Sequence, residues 1–192
     1  MDPKRIHMLE KQTLKITGFP DDWPVLDIGG GGEGVIGRIK PRDVVAIDLQ
    51  MDELLEAPPG PVKLVMDARE MQFAPETFAV ATLFFSLMYM KGEDRKQVFE
   101  QTFNVLRPGG RLLVWDSVIP SHAGGEKDVW AIPLVIQLPN GEEIETGYGT
   151  LWPGQEMDHS SIAAVAESAG FEIKDVRPGD KWFFLEMVKK QQ

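Results

Sequence analysis

Three aspartates and one run of glycines set out the chemistry this chain could perform. Asp27 sits in "VLDIGGGGEG", Asp48 closes "VVAIDL" 21 residues later, and Asp67 closes "VKLVMD" after a further 19. A carboxylate accepts hydrogen bonds from hydroxyls and amines, and it repels phosphate. The glycines at 29–32 and 34 leave no Cβ between the backbone and whatever approaches it. An open parallel sheet binds its ligands beyond the carboxyl ends of its strands. Three strand-end carboxylates beside a glycine turn would therefore face one crevice.

The elements that must position these residues follow from the apolar pattern. "VLDIG" (25–29), "DVVAIDL" (43–49), "VKLVMDA" (62–68), "FAVATLFFS" (78–86) and "RLLVWDSV" (111–118) read as strands. They alternate with short helices at 34–39 and 51–57 and a longer one at 92–106, where Val98, Phe99, Thr102, Phe103 and Leu106 have helical spacing. Strands that are apolar on both faces and separated by helices imply a parallel sheet covered on both sides. After them, "VWAIPLVIQLPNGEEIETGYGTLWP" (129–153) carries Asn140-Gly141 between two strand-like arms, a hairpin signal. "SSIAAVAESAGF" reads as a helix with Ser160 as N-cap and Gly170 as its stop, and "EIKDV" and "WFFLEMVKK" as two closing strands, antiparallel to each other. The expected fold class is α/β: a Rossmann-like, doubly wound, seven-stranded and mostly parallel sheet with an antiparallel last strand. A β-hairpin insertion follows strand five, all within a single domain over residues 1–192.

Composition narrows the function. At 192 residues, with 43% hydrophobic and 26% charged residues, the chain is of ordinary globular type and long enough to bury a core. No cysteine is present, which rules out disulfides, thiolate metal sites and a cysteine nucleophile. The histidines His7, His122 and His159 lack ligand spacing, so no protein-held metal is expected. A net charge of −10 without a basic cluster suits a small molecule or a protein as partner and not nucleic acid. "MDPKRIHMLEKQ" lacks the apolar core of a signal peptide, and the longest apolar run, "FAVATLFFSLMYM", is 13 residues. A cytoplasmic chain with no membrane partner is the expectation.

Two ligand classes use a glycine turn of this kind. A dinucleotide seats its pyrophosphate on Gly-x-Gly-x-x-Gly, which Gly29, Gly31 and Gly34 satisfy. S-adenosylmethionine has no phosphate and lays its methionine part over the loop. Asp27, two residues before Gly29, disfavours a pyrophosphate and suits a cationic amine or loop amides. Asp48 is placed to accept both ribose hydroxyls of an adenosine, and Asp67 to reach an adenine amino group. The bland alternative for each aspartate is a turn or strand-end residue bonded to nearby amides.

Taken in order, these motifs resemble the class I S-adenosylmethionine-dependent methyltransferases over residues 22–118, with 160–188 fitting the family's end. "VLDIGGGGEG" resembles the first motif, "VVAIDL" the second, "VMDA" the third, and "FNVLRPGGRLLV" the entry to the fifth strand. The resemblance implies S-adenosyl-L-methionine as cofactor, held by Asp27, Gly29, Gly31, Asp48, Leu49, Asp67, Ala68 and Phe84. In the register set by Asp27, Glu33 falls where the third motif glycine belongs, and Ala79 stands where the family often has aspartate. The aminopropyltransferases share the fold, but the acidic gate they carry after the fourth strand is absent from "FFSLMYMKG".

The resemblance implies methyl transfer by in-line displacement to a small-molecule acceptor. An activated methyl needs alignment above all, and a general base only where the acceptor keeps its proton. No catalytic residue is identified. Tyr89, His122, Trp130 and Tyr148 are the candidate acceptor residues, with Asp116 and Trp152 nearby in the sequence pattern. An ordinary surface histidine and half-buried packing are the alternative readings of His122 and Tyr89. The 129–153 segment reads equally as a substrate cap or as a homodimer contact. Met66, Met71, Met88 and Met90 read as core filling. An NAD(P)-dependent oxidoreductase and a non-catalytic S-adenosylmethionine-binding module are the competing functions.

Overall fold

Apolar strands covered on both faces form the larger of two sheets in the computed structural model, which describes residues 2–190. Its strands are β3 (Val25–Ile28), β4 (Val44–Asp48), β5 (Val62–Val65), β6 (Phe78–Phe84), β7 (Leu106–Ser117), β10 (Phe171–Pro178) and β11 (Trp182–Lys189). They lie in the order β10-β11-β7-β6-β3-β4-β5. Only β11 runs against its neighbours β7 and β10, so the antiparallel strand is the last one, as expected. Every residue of β6 is buried, as a parallel strand between two covered faces requires.

The chain leaves β3 towards β4 and β5, then returns to the other side of β3 for β6 and β7. That reversal opens the crevice above the carboxyl ends of β3, β4 and β6. Two short helices, α1 (Val35–Ile39) and α2 (Met51–Glu56), follow β3 and β4. The longer α3 (Gly92–Val105) buries Val98, Phe99, Thr102 and Val105 at helical spacing. Helix α4 (His159–Ser168) begins two residues earlier than its sequence suggests. Asp158, not Ser160, is the N-cap. Its carboxylate accepts the Ser161 N–H at 2.8 Å, and the Ser161 hydroxyl accepts the Asp158 N–H at 2.9 Å. This reciprocal pair satisfies two orphan donors at once, which Ser160 could not do.

The second sheet holds the hairpin β8 (Val129–Gln137) and β9 (Glu143–Leu151), paired from Val129–Leu151 to Gln137–Glu143 around Asn140-Gly141. The hairpin does not stand alone. Two strands in the N-terminal segment, β1 (Ile6–Met8) and β2 (Gln12–Lys15), run parallel to β8 and cover its other edge. Leu14 and Ile16 are fully buried there. No helix among the described residues is long and apolar enough to cross a membrane.

Candidate active site

At the end of β3 the chain must turn sharply beneath the crevice. Gly29 does so at φ +74°, and a Cβ on it would lie 2.7 Å from the Ser86 Cβ. The N–H groups of Gly29 and Gly30 donate to the Ile47 carbonyl at 2.8 and 3.1 Å. A Cβ on Gly30 would lie 2.6 Å from an Asp27 carboxylate oxygen, and one on Gly31 would lie 2.5 Å from the Glu53 Cβ. The glycines are thus required by the protein's own neighbours, and the loop is fixed from below and from α2 before any ligand arrives.

Asp27 is buried at the floor, where its Oδ1 accepts the Thr82 hydroxyl at 2.8 Å. Burial pushes its pKa up to about 7, against that hydrogen bond and with a further push from Asp48. Asp48 ends β4 with one oxygen accepting the Gln50 N–H at 2.9 Å. Its other oxygen faces the glycine loop, 3.1 Å from the position a Gly31 Cβ would take. Leu49 stands beside it, exposed on the lip.

Asp67, two residues past β5, lines the crevice with a partner of its own. Its carboxylate is taken by the Arg69 guanidinium, whose Nε and Nη2 lie 3.0 and 2.6 Å from its two oxygens. The Arg69 side chain holds the Asp67 pKa below the ordinary range. Arg69 Nη1 also donates to Asp94 in the first turn of α3 at 2.9 Å, which straps the segment after β5 to that helix. Nothing in the sequence marks Arg69, because Asp94 lies 25 residues away.

The opposite end of the crevice is aromatic. Phe84 ends β6, and Phe85 follows at φ +49°, a strained conformation for a bulky residue of the kind that gathers at functional sites. Its ring stacks on Tyr148 of β9 with centroids 4.9 Å apart and planes 10° apart. The Tyr148 hydroxyl donates to Glu33 at 3.0 Å, and the Thr146 hydroxyl donates to the other oxygen of the same carboxylate. Burial first, and then Glu33, raise the Tyr148 pKa, so its phenol stays protonated. Arg38 adds an ion pair to Glu142 in the hairpin turn. Glu33, the residue standing in a motif glycine's place, is therefore the anchor between the glycine loop and the second sheet.

Tyr89 follows β6 in a short 3-10 turn, Leu87–Tyr89. Its side chain is half exposed, on the rim of the crevice. Asp116 holds that turn from behind. It accepts the N–H groups of Leu87, Met88 and Ser117 at 2.8, 3.3 and 2.8 Å, and burial pushes it up to about 7.

One cavity of about 840 Å³ unites these groups. Its wall includes Asp27, Gly29, Gly31, Asp48, Leu49, Asp67, Ala68 and Phe84, together with Tyr89 and Tyr148. Met66 and Met90 also line it, whereas Met71 and Met88 fill the core. Two expected residues do not line it. Trp130 is buried behind the hairpin, donating to the Ser117 hydroxyl at 3.0 Å and stacking on His7 with centroids 5.0 Å apart. His122 is half-buried, 2.9 Å from the Lys127 carbonyl, with its ring against Trp152. Both serve the loop that joins β7 to β8.

The site fits an adenosine-bearing cofactor. A free oxygen of Asp48 and the pre-set glycine loop share one wall, and no basic side chain lines the cavity at the loop for a pyrophosphate. Fold and site together define a doubly wound α/β enzyme with a nucleoside pocket at its switch point. Residues 26–114 match a methyltransferase domain family. The chain is 28% identical over 187 residues to a ubiquinone/menaquinone biosynthesis C-methyltransferase of Stutzerimonas stutzeri, covering 87% of this chain and 72% of that protein. The corresponding protein of Idiomarina loihiensis is 27% identical over 191 residues, 88% of this chain and 75% of its own. Among solved structures, a SAM-dependent methyltransferase of Methanosarcina mazei shares the fold with a TM-score of 0.64 at 16% identity, over 91% of this chain and 95% of that one. Another, from Mesorhizobium loti, has a TM-score of 0.61 at 15% identity, over 88% and 93%. The chain is similar to S-adenosylmethionine-dependent methyltransferases in its domain model, its curated relatives and its fold, and S-adenosylmethionine is the cofactor this likeness indicates.

Proposed function

We propose that the chain methylates a small molecule, with the glycine loop and the strand-end aspartates holding the cofactor and β9 roofing the acceptor. When bound, S-adenosylmethionine supplies a methyl group already activated on a sulfonium. Asp48 takes the ribose hydroxyls, Leu49, Asp67 and Ala68 surround the adenine, and the loop at Gly29–Gly31 carries the methionine part over Asp27. Phe84, Tyr89 and Tyr148 border the acceptor and keep water from it.

The observation that carries this reading is the cavity these groups share. Its volume of about 840 Å³ lies towards the top of the about 300–1,000 Å³ of small-ligand pockets, room for a cofactor and a second molecule side by side. The net charge of −10 supports a metabolite over a nucleic acid as acceptor. The whole chain acts as one domain. Glu33 ties the hairpin to the glycine loop, which favours its role as an acceptor cap over that of a dimer contact. The curated relatives are named as C-methyltransferases of ubiquinone and menaquinone biosynthesis. At 28% identity that name guides an acceptor screen without fixing the acceptor atom.

Incubation with methyl-labelled S-adenosylmethionine and a mixed metabolite extract tests the proposal. Label is expected in a low-molecular-weight product. Label found only in macromolecules contradicts it.

A further inference from the structure

We propose that the methyl acceptor is an amine, bound as its cation among Phe84, Tyr89 and Tyr148 with the Glu33 carboxylate as its counter-ion. This rests on the methyltransferase reading above and deepens it. Two independent features meet at the same end of the cavity. The first is aromatic: Phe84, Tyr89 and Tyr148 line it, with Phe85 stacked on Tyr148, and ring faces attract ammonium groups. The second is charge. Glu33 accepts only two neutral hydroxyls, from Thr146 and Tyr148, so its negative charge has no cationic partner. The nearby Arg38 gives its Nε to the Glu33 carbonyl and its Nη1 to Glu142.

The wider lining points the same way. It carries seven carboxylates against one cation, Arg69, and Arg69 is committed to Asp67 and Asp94. Glu53 is pushed up by burial and by four neighbouring carboxylates, the sign of a field that a cation relieves. The cofactor carries a net single positive charge and leaves most of that field uncompensated. A carboxylate or phosphate acceptor would be repelled, and no basic side chain lines the cavity at this end to stabilise a phenolate.

The reaction starts from the neutral amine. The nitrogen lone pair forms the N–C bond as the C–S bond breaks, and that electron pair stays on sulfur as a neutral thioether. The proton that leaves the bound cation to give that neutral amine passes to Glu33 and on to solvent, and the methylated product is itself a cation.

Calorimetric titration separates the possibilities. The full chain is first saturated with S-adenosylhomocysteine, then titrated at neutral pH with benzylamine, benzyl alcohol or benzoate. Benzylamine is expected to bind at least tenfold more tightly than benzyl alcohol, with benzoate weakest. Glu33→Gln should bring benzylamine down to the level of benzyl alcohol. Tyr148→Phe, which keeps ring and carboxylate, should retain the preference. Equal binding of the three compounds, a preference for alcohol or carboxylate, or an amine preference that survives in Glu33→Gln overturns the proposal. No uptake of S-adenosylhomocysteine in the first step strikes the methyltransferase reading itself, and the proposal falls with it.

Discussion

Asp27 and Glu33 flank the same glycines, and each is matched by a partner far away in the chain. Thr82 lies 55 residues from Asp27, and Tyr148 lies 115 residues from Glu33. The type and place of Asp27, Asp48 and Asp67 are legible in the sequence because strand-end carboxylates recur after apolar runs. The roles of Glu33 and Arg69 are not, because a charge gives no sign of its partner until the fold brings the two together. Asp27 carries a prediction at this scale. Burial raises its folded pKa to about 7 from the ordinary 3.8. Below about pH 4 both folded and unfolded states hold the proton, and Asp27 contributes nothing. Between there and pH 7 only the folded state holds it, so stability falls as pH rises through that window and then levels off. Asp27→Asn removes this slope. Urea denaturation should show the variant gaining on the wild type by on the order of 2–3 kcal/mol between pH 5 and pH 8. A difference that stays flat with pH would contradict the burial account.

Among the elements, those with strong local signals were the legible ones. Asn140-Gly141 predicts its hairpin, and the apolar runs predict the seven strands of the large sheet to within a few residues, because a buried parallel strand has little freedom in composition. Strands β1 and β2, of three and four residues, are too short to show a period and exist because β8 offers them an edge. Trp130 and His122 lie in the segments expected to border the acceptor, yet alternation along β8 turns Trp130 towards Ser117, away from the cavity. The 3-10 turn that presents Tyr89 depends on Asp116. Asp116→Asn replaces one accepting oxygen with a donor that faces backbone N–H groups. It should cost about 2–3 kcal/mol of stability. If the turn is held from this carboxylate, Tyr89 ring resonances should also shift in NMR spectra of the variant. A variant as stable as the wild type would show that the turn holds itself.

For the molecule as a whole, the large sheet supplies the cofactor half of the cavity and the second sheet its roof. The join between them is a few side chains, chiefly Glu33 with Thr146 and Tyr148, and Phe85 with Tyr148. The doubly wound half was legible as a family pattern. The roof was legible only as a hairpin, since its docking depends on a glutamate that breaks that pattern. The place of the acceptor is set by that of the adenosine, which the reading puts along β4 with Asp48 on its ribose. The most direct test is calorimetric titration of the wild type and Asp48→Ala with S-adenosylmethionine, S-adenosylhomocysteine and NAD. The account predicts binding of the first two and not of NAD, with a loss of at least tenfold in the variant, the scale of a charged hydrogen bond of about 1.5–3 kcal/mol. Unchanged binding in Asp48→Ala, or binding of NAD alone, would contradict it.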